Sequence, residues 1–147
     1  MTIDGMAIAM EEARAAEARG EVPIGAAIML DGVVVARAGN RTIADDDPTA
    51  HAEMVAIRRA ASALGSQRLV GADLYVTLEP CAMCAGAISF ARIRRLYFGA
   101  ADEKGGAVEH GVRFFQAATC HHAPEVYGGI GESEAGAMLT AFFRTRR

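Results

Sequence analysis

Several features that mark special classes of protein are missing from this chain. It has no uninterrupted apolar run long enough to span a membrane, and its N-terminus lacks a charged stretch followed by an apolar block. We therefore expect neither a membrane segment nor a secretory signal. An excess of basic residues is also absent, because the net charge is -3, so composition alone does not indicate a nucleic-acid binder. No repeat, low-complexity tract or linker is visible, and residues 1–147 are predicted to form a single domain.

Cysteine is scarce and its number is odd. The chain has three cysteines, two of which are spaced as Cys-x-x-Cys. This argues against a disulfide framework and favours a reducing cytoplasm, where thiolates are available to bind a metal. Hydrophobic residues, in contrast, make up 52% of the chain, which is enough to bury a substantial core.

The hydrophobic pattern predicts helices and strands in alternation. Apolar residues at helical spacing predict helices over residues 3–19, 51–64, 81–90 and 133–143. Apolar or β-branched runs predict strands over residues 24–30, 33–35, 74–78 and 93–98, and within the weakly patterned residues 100–130 the clearest signal is a strand at 125–127. Asp31-Gly32 predicts a hairpin turn between the first two strands. The strand-helix-strand order implies an α/β protein with a partly parallel sheet, which the hairpin makes mixed.

Two short segments carry the chemistry of the chain. His51-Ala52-Glu53 comes first, and Pro80-Cys81-Ala82-Met83-Cys84 follows it, each at the start of a predicted helix. One imidazole and two thiols are ligands that zinc prefers, and three protein ligands leave a fourth position for water, which is typical of catalytic zinc. A helix N-terminus favours the thiolate form that a metal needs. Zinc is therefore the predicted cofactor.

Glu53 is predicted to carry protons. It stands two residues after His51, a poor spacing for a second ligand on one helical face. Zinc can lower the pKa of a water ligand to about 7. Glu53 would then move protons from that water to the ring nitrogen of a base and to the departing amine. The combination His-x-Glu with Pro-Cys-x-x-Cys is the signature of the zinc deaminases, whose product is a keto base plus ammonia.

A non-catalytic zinc site is the alternative interpretation of these residues. A structural zinc needs a fourth protein ligand, which Cys120, His121 or His122 could supply. The same three residues could instead form a surface loop with a free thiol. A zinc-stabilised binding module without catalysis therefore remains a hypothesis at this point.

The residues around the zinc motifs resemble the bacterial tRNA-specific adenosine deaminases. The zinc motifs alone identify only the cytidine deaminase-like superfamily. The narrower resemblance rests on residues 21–26, 39–41, 47–54 and 75–87, which include Asp-Pro-Thr-Ala-His-Ala-Glu and Thr-Leu-Glu-Pro-Cys, and it continues to the final Phe-Phe-Arg-Thr-Arg-Arg. It implies a three-layer α/β/α fold around a mixed, mostly five-stranded sheet. It also implies a zinc-dependent homodimer that converts adenosine to inosine at wobble position 34 in the anticodon stem-loop of an arginine tRNA.

The resemblance also implies roles for individual residues. It assigns zinc to His51, Cys81 and Cys84 and the proton shuttle to Glu53. Contacts with the substrate are implied for Asn40 at the target base, Val22 and Pro23 in the base pocket, Asp102 near the RNA backbone, and Phe143 and Arg144 near the anticodon loop.

Residues 105–130 differ most from this family. Here His121-His122-Ala123-Pro124 stands where many relatives have Asn-His followed by a hydrophobic strand. In the family this segment flanks the mouth of the substrate site. The alternative function is therefore a deaminase of a free nucleobase or nucleoside, of the guanine or cytosine type, in which this segment closes the pocket.

The charged and small residues are compatible with RNA binding and dimerisation but also have simpler explanations. Two arginine clusters, at residues 92–95 and 144–147, could bind phosphates, with Phe142 and Phe143 beside the second. They could equally form solvated helix ends, and the phenylalanines could lie in the core. The small residues of the third helix suit close packing in a dimer interface or in the interior. Arg41 could meet a phosphate, and Asp47, before Pro48, is predicted to form a turn.

Overall fold

The computed structural model describes residues 3–145 of the chain. The helices are α1 (Gly5–Ala18), α2 (Ala52–Leu64), α3 (Ala82–Phe90) and α4 (Glu132–Thr145). The strands are β1 (Gly25–Leu30), β2 (Val33–Gly39), β3 (Asp73–Leu78), β4 (Arg95–Ala100) and β5 (Glu125–Tyr127), with a short 3-10 helix at Phe114–Gln116. None of the helices in this described part is both long and apolar enough to cross a membrane.

The five strands form one mixed sheet in the order β2-β1-β3-β4-β5. Strand β1 runs antiparallel to β2 and β3, whereas β3, β4 and β5 are parallel. Asp31 and Gly32, which join β1 to β2, have φ angles of 51° and 77°. Two consecutive positive φ angles define the turn that suits a twisted hairpin, so the predicted hairpin is confirmed.

Helices cover both faces of the sheet. Ile28, Leu74 and Val76 point to the same face and belong to one buried cluster with residues of α2 and α3. On the other face, Tyr75 lies directly against Gly5 of α1, and α4 packs on β3 and β4. The structure therefore has the three layers and the mixed five-stranded sheet that the resemblance implied.

The predicted boundaries of β2 and β4 were wrong. Strand β4 was expected over residues 93–98 but begins at Arg95, because Arg92 has a φ of 63° and the N–H of Ile93 donates to the carbonyl of Ile88. Ile93 is apolar because it fills the core, not because it lies in a strand. Strand β2 extends to Gly39, where it pairs with Gly25, although its second half lacks β-branched residues.

The register brings several chain segments to one edge of the sheet. Ala26 near the start of β1 pairs with Val76 near the end of β3, so the segment before β1 and the segments after β2, β3 and β4 meet there. We call this the carboxyl edge, because β3 and β4 end at it. Ligands of α/β proteins usually bind at such an edge. Asp47 lies in a turn here, as predicted, because its Oδ1 accepts hydrogen bonds from the N–H and the hydroxyl of Thr49.

A core substitution tests this packing. Ile28 of β1 is fully buried between the sheet and α2, so we expect Ile28→Ala to lower the free energy of unfolding by about 2–5 kcal/mol. Val33 of β2 is 59% exposed, and Val33→Ala should change it by less than about 0.5 kcal/mol. Urea denaturation followed by circular dichroism measures both, and equal effects would contradict the assigned layers.

Candidate active site

Two helices begin at the carboxyl edge with a potential metal ligand at the N-cap. His51 is the N-cap of α2 and Cys81 is the N-cap of α3, both with extended backbone angles. Neither side chain makes the usual capping hydrogen bond to its own helix. The ring and the thiol are therefore free to turn towards each other, and Cys84 joins them from the first turn of α3.

The geometry of these three side chains fits a zinc ion. The Nδ1 atom of His51 lies 3.6 Å from the Sγ atom of Cys81 and 3.6 Å from that of Cys84, and all three atoms are within 4.8 Å of one another. A tetrahedral zinc with ordinary bond lengths holds a nitrogen and a sulfur about 3.6 Å apart. Nδ1 is therefore the ring nitrogen that would ligate the metal. Among the His, Cys, Asp and Glu side chains of residues 3–145, those of His51, Cys81 and Cys84 form the group that is close enough to share one ion.

The two thiols differ in their protonation. A hydrogen bond from Cys84, aided by His51, lowers the pKa of Cys81 to about 4. The same hydrogen bond, together with burial, raises the pKa of Cys84 far above its usual value. Cys81 therefore favours the thiolate form and Cys84 the thiol form, and zinc binding would require Cys84 to lose its proton, since zinc ligands must be thiolates.

Glu53 lies beside the sulfur atoms in the first turn of α2. Its side chain is buried, and the burial raises the pKa of Glu53 to about 7. Its carboxyl group interacts with the Cys84 thiol. A carboxyl group with a pKa near neutrality can both accept and release a proton, which is what a shuttle requires.

A cavity of about 270 Å³ opens next to Glu53. Its walls are Ile24, His51, Glu53, Leu78, Glu79, Cys81, Asp102 and Gly105. This volume is at the small end for ligand pockets, so it suits a single planar base and not a whole nucleotide. His51 and Cys81 are only half-buried, so the cavity is open to solvent on the metal side.

The residues expected to contact the base lie near this cavity but mostly behind its wall. Asn40 donates its backbone N–H to the carbonyl of Ile24, and its side chain donates to Thr42. Pro23 is fully buried and Val22 is half-buried. The hydrophobic wall itself is Ile24, a residue that sequence reasoning did not single out.

The remaining substrate residues lie at two separate places. Asp102 lines the cavity, and its Oδ1 accepts hydrogen bonds from the N–H groups of Lys104 and Gly105. Phe143 and Arg144 are exposed at the end of α4 and border a different surface depression. Arg146 and Arg147, which were grouped with Arg144, lie outside the described residues.

The arginine cluster at residues 92–95 does not reach the cavity. Arg94 pairs with Asp73 at 2.8 Å and Arg95 with Glu125 at 2.7 Å, at the edge where β3 and β4 begin. This is the sheet edge opposite the cavity, so the structure favours the solvated-face interpretation for this cluster. Arg41 is likewise paired, with Asp45 at 3.1 Å.

The fourth ligand considered for a structural zinc is ruled out. The Sγ atom of Cys120 lies 3.5 Å from the Ser89 hydroxyl, and His122 donates from Nε2 to the carbonyl of Ile93. Both contacts are at the end of α3 that lies about 13 Å from Cys81, by the rise of a nine-residue helix. The segment that includes His121 and His122 therefore packs away from the metal ligands.

Two buried glutamates that sequence reasoning did not assign hold the loops beside the cavity. Glu21 accepts hydrogen bonds from the N–H groups of Ile43 and Ala44, and Glu79 accepts several from residues 102–110. Although burial opposes ionisation of Glu79, these amides and His110 lower its pKa overall. For Glu79, the available signal was an acidic residue directly after the apolar strand β3.

Comparisons with known proteins agree with this site. Residues 2–100 match the family described as the cytidine and deoxycytidylate deaminase zinc-binding region. The chain is 66% identical to the tRNA-specific adenosine deaminase of Agrobacterium fabrum, over 97% of this chain and 93% of that protein. It is 48% identical to the enzyme of the same name from Bacillus subtilis, over 95% of this chain and 86% of that protein.

A solved structure gives the same result. It comes from a study of A-to-I editing by tRNA:A34 deaminases at the wobble position of transfer RNA. It superposes with a TM-score of 0.91 and 66% identity, covering 92% of this chain and 98% of that one. With this identity over nearly its whole length and a zinc-compatible His51, Cys81 and Cys84 cluster, the chain belongs to the tRNA-specific adenosine deaminase family.

Proposed function

We propose that this protein is a zinc-dependent hydrolase that converts adenosine to inosine at wobble position 34 of a tRNA anticodon, in an arginine tRNA. The main support for the proposal is the position of three potential zinc ligands, His51, Cys81 and Cys84. They lie close together beside the buried Glu53, at a cavity large enough for one base. The family relationship supports the substrate, and the donor set supports the chemistry.

The reaction uses the residues in separate roles. His51, Cys81 and Cys84 would hold a zinc ion, which would supply Lewis-acid chemistry by lowering the pKa of a water molecule to about 7. Glu53 takes a proton from the attacking water and delivers it to the ring nitrogen beside the reacting carbon of adenine. It then takes the second proton from the hydroxyl group newly bonded to the reacting carbon and gives it to the amine, which leaves as ammonia while the C=O bond forms, so that one carboxyl group serves both steps. Ile24 and Leu78 form apolar walls that exclude further water from the base.

An unpaired base in an anticodon stem-loop is a suitable substrate for this cavity. Such a base is already exposed, so it can enter a small pocket while its neighbours stay outside. We assign contact with the base to Ile24, and to Val22, Pro23 and Asn40 the role of supporting this wall from behind. We assign contacts with the flanking RNA to Asp102, which lines the cavity, and to Phe143 and Arg144, which are exposed at the end of α4.

We further propose that the protein is a homodimer in the cytoplasm, joined through α3. This helix has no charged residue, yet Phe90 is 79% exposed and nothing lies within 4 Å of a Cβ built on Gly86. A helix that is apolar on all sides is normally buried. A second copy packed across α3 in an isologous contact would bury this face. The free thiols of Cys81, Cys84 and Cys120 suit a reducing compartment.

Substitution of the proposed shuttle separates catalysis from metal binding. Glu53→Gln keeps the shape of the side chain but cannot carry a proton. We expect kcat to fall by about 10²- to 10⁴-fold while zinc stays bound. Single-turnover inosine formation and zinc analysis by mass spectrometry measure the two effects. Full activity of this variant would exclude the assignment, and Cys84→Ala, which removes a ligand, should lose zinc as well.

A substrate comparison tests the RNA assignment against the free-base alternative. We expect kcat/KM for an anticodon stem-loop to exceed that for free adenosine, guanine or cytosine by at least about 100-fold, because remote RNA contacts contribute binding energy. Inosine is quantified by chromatography of digested RNA, with a panel of tRNAs to identify the preferred one. Rapid turnover of a free base with no reaction of any RNA would refute the proposal.

The dimer is tested by placing a charge on α3. Phe90→Asp puts a carboxylate in the proposed interface, so light scattering should show one chain per particle where the wild type shows two. Val33→Asp adds the same charge at an exposed position of β2 and should leave the mass unchanged. A wild-type protein that is monomeric at micromolar concentration would contradict the proposal.

A further inference from the structure

The loop that follows β4 is held by a single buried carboxylate. Residues 102–110 contain neither a helix nor a strand, yet Gly106, Ala107 and Val108 are buried. The side chain of Glu79 is completely shielded from solvent and lies against this loop. A buried loop needs partners for its N–H groups, and here one side chain supplies most of them.

The two carboxylate oxygens of Glu79 accept five hydrogen bonds from the loop. Oε1 accepts from the backbone N–H of Asp102 at 3.0 Å and from Nδ1 of His110 at 2.8 Å. Oε2 accepts from the backbone N–H groups of Val108, Glu109 and His110 at 2.9 to 3.1 Å. Hydrogen bonds to an ionised acceptor are stronger than neutral ones, so this contact fixes both ends of the loop.

The fit around the carboxylate is close. A Cβ built on Gly106 would lie only 2.5 Å from the Oε2 atom of Glu79. Any larger residue at this position would displace the carboxylate or the loop. Glycine is therefore required here by the positions of both the Glu79 carboxylate and the Asp102 backbone carbonyl, both of which lie against this position.

The loop held in this way forms one wall of the catalytic cavity. Asp102 and Gly105 line the cavity on the side opposite Ile24, while the metal ligands come from α2 and α3. A movement of the loop would change the shape of the base pocket, and its link to the metal side is the hydrogen bond that the Ala107 N–H donates to the carbonyl of Pro80, beside Cys81. The Glu79 carboxylate makes its hydrogen bonds to the loop, so its loss should affect the binding of the base more than the binding of zinc.

We infer that Glu79, with His110, is a positioning residue that sets the substrate-binding wall of the cavity. It acts through Asp102 and Gly105 and takes no part in proton transfer. This inference rests on the proposed function, because it concerns binding of the same substrate. It assigns a role to the glutamate of the Thr-Leu-Glu-Pro-Cys segment that is separate from the role of the cysteines that follow.

The main test is Glu79→Gln. An amide replaces one acceptor oxygen with a donor, so at least two N–H groups of the loop lose their partner. We expect KM for the anticodon stem-loop to rise about tenfold, equivalent to about 1.4 kcal/mol, with kcat within about twofold of wild type. Zinc content should stay unchanged. Glu103→Gln, which removes the same charge from an exposed position of the same loop, should leave KM unchanged.

Substitutions at His110 and Gly106 give milder and independent tests. His110→Asn retains an N–H donor near the position of Nδ1 and should keep KM close to wild type, whereas His110→Ala should raise it. Gly106→Ala should raise KM without changing any charge. Gly136→Ala is its control, because a Cβ there meets only the Cβ of Ala100, at 3.9 Å.

Hydrogen exchange provides a measurement that does not depend on the substrate. Amides of residues 102–110 should exchange at least about tenfold faster in Glu79→Gln than in wild type. Loss of zinc, an unchanged KM with only a lower melting temperature, or a fall in kcat at constant KM would each overturn the inference. If the wild type made no inosine from any RNA, the proposed function would be refuted instead. Hydrogen exchange would still test the contact between Glu79 and residues 102–110.

Discussion

The approach of two helix N-termini is the constraint on which the rest of the site depends. Helices α2 and α3 start at the same edge of the sheet, and this places Nδ1 of His51 3.6 Å from each of the two sulfurs. The sheet order and the register of β1 on β3 create this meeting point. Because both ligands at the N-caps are free of capping bonds, their side chains can serve a metal without loss of a local contact.

The buried carboxylates around the metal ligands have two different roles, proton transfer and support of the neighbouring loops. Burial raises the pKa of Glu53 to about 7. Burial acts on Glu79 in the same direction, but the hydrogen bonds that Glu79 accepts lower its pKa overall. The first can exchange a proton near neutral pH, and the second stays ionised and holds a loop. Glu21 supports the loop on the other side of the cavity. The glutamates thus have different roles because their surroundings shift their pKa values in different directions.

Much of the fold follows from local patterns. The hairpin at Asp31 and the alternation of helices with strands were predictable, since turn chemistry and hydrophobic spacing act over a few residues. The end of β2 was not predictable, because pairing with Gly25 extends the strand to Gly39. The start of β4 was not predictable either, because a turn at Arg92 moves it towards the C-terminus. The loop after β4 carries no periodic signal, because its shape depends on Glu79, a side chain more than twenty residues earlier in the chain.

The sequence by itself determined the donor set and the family. His51, Glu53, Cys81 and Cys84 have the spacing and residue types of a zinc deaminase, and no other information was needed to expect this chemistry. Only the tertiary structure showed that Ile24 and Asp102 line the cavity. It also showed that Cys120 and His122 pack at the far end of α3 from the metal ligands. Arg94 and Arg95 lie at the edge of the sheet opposite the cavity. The physical reason is that ligand chemistry is a property of individual residues, whereas proximity between distant segments is set by strand order and packing.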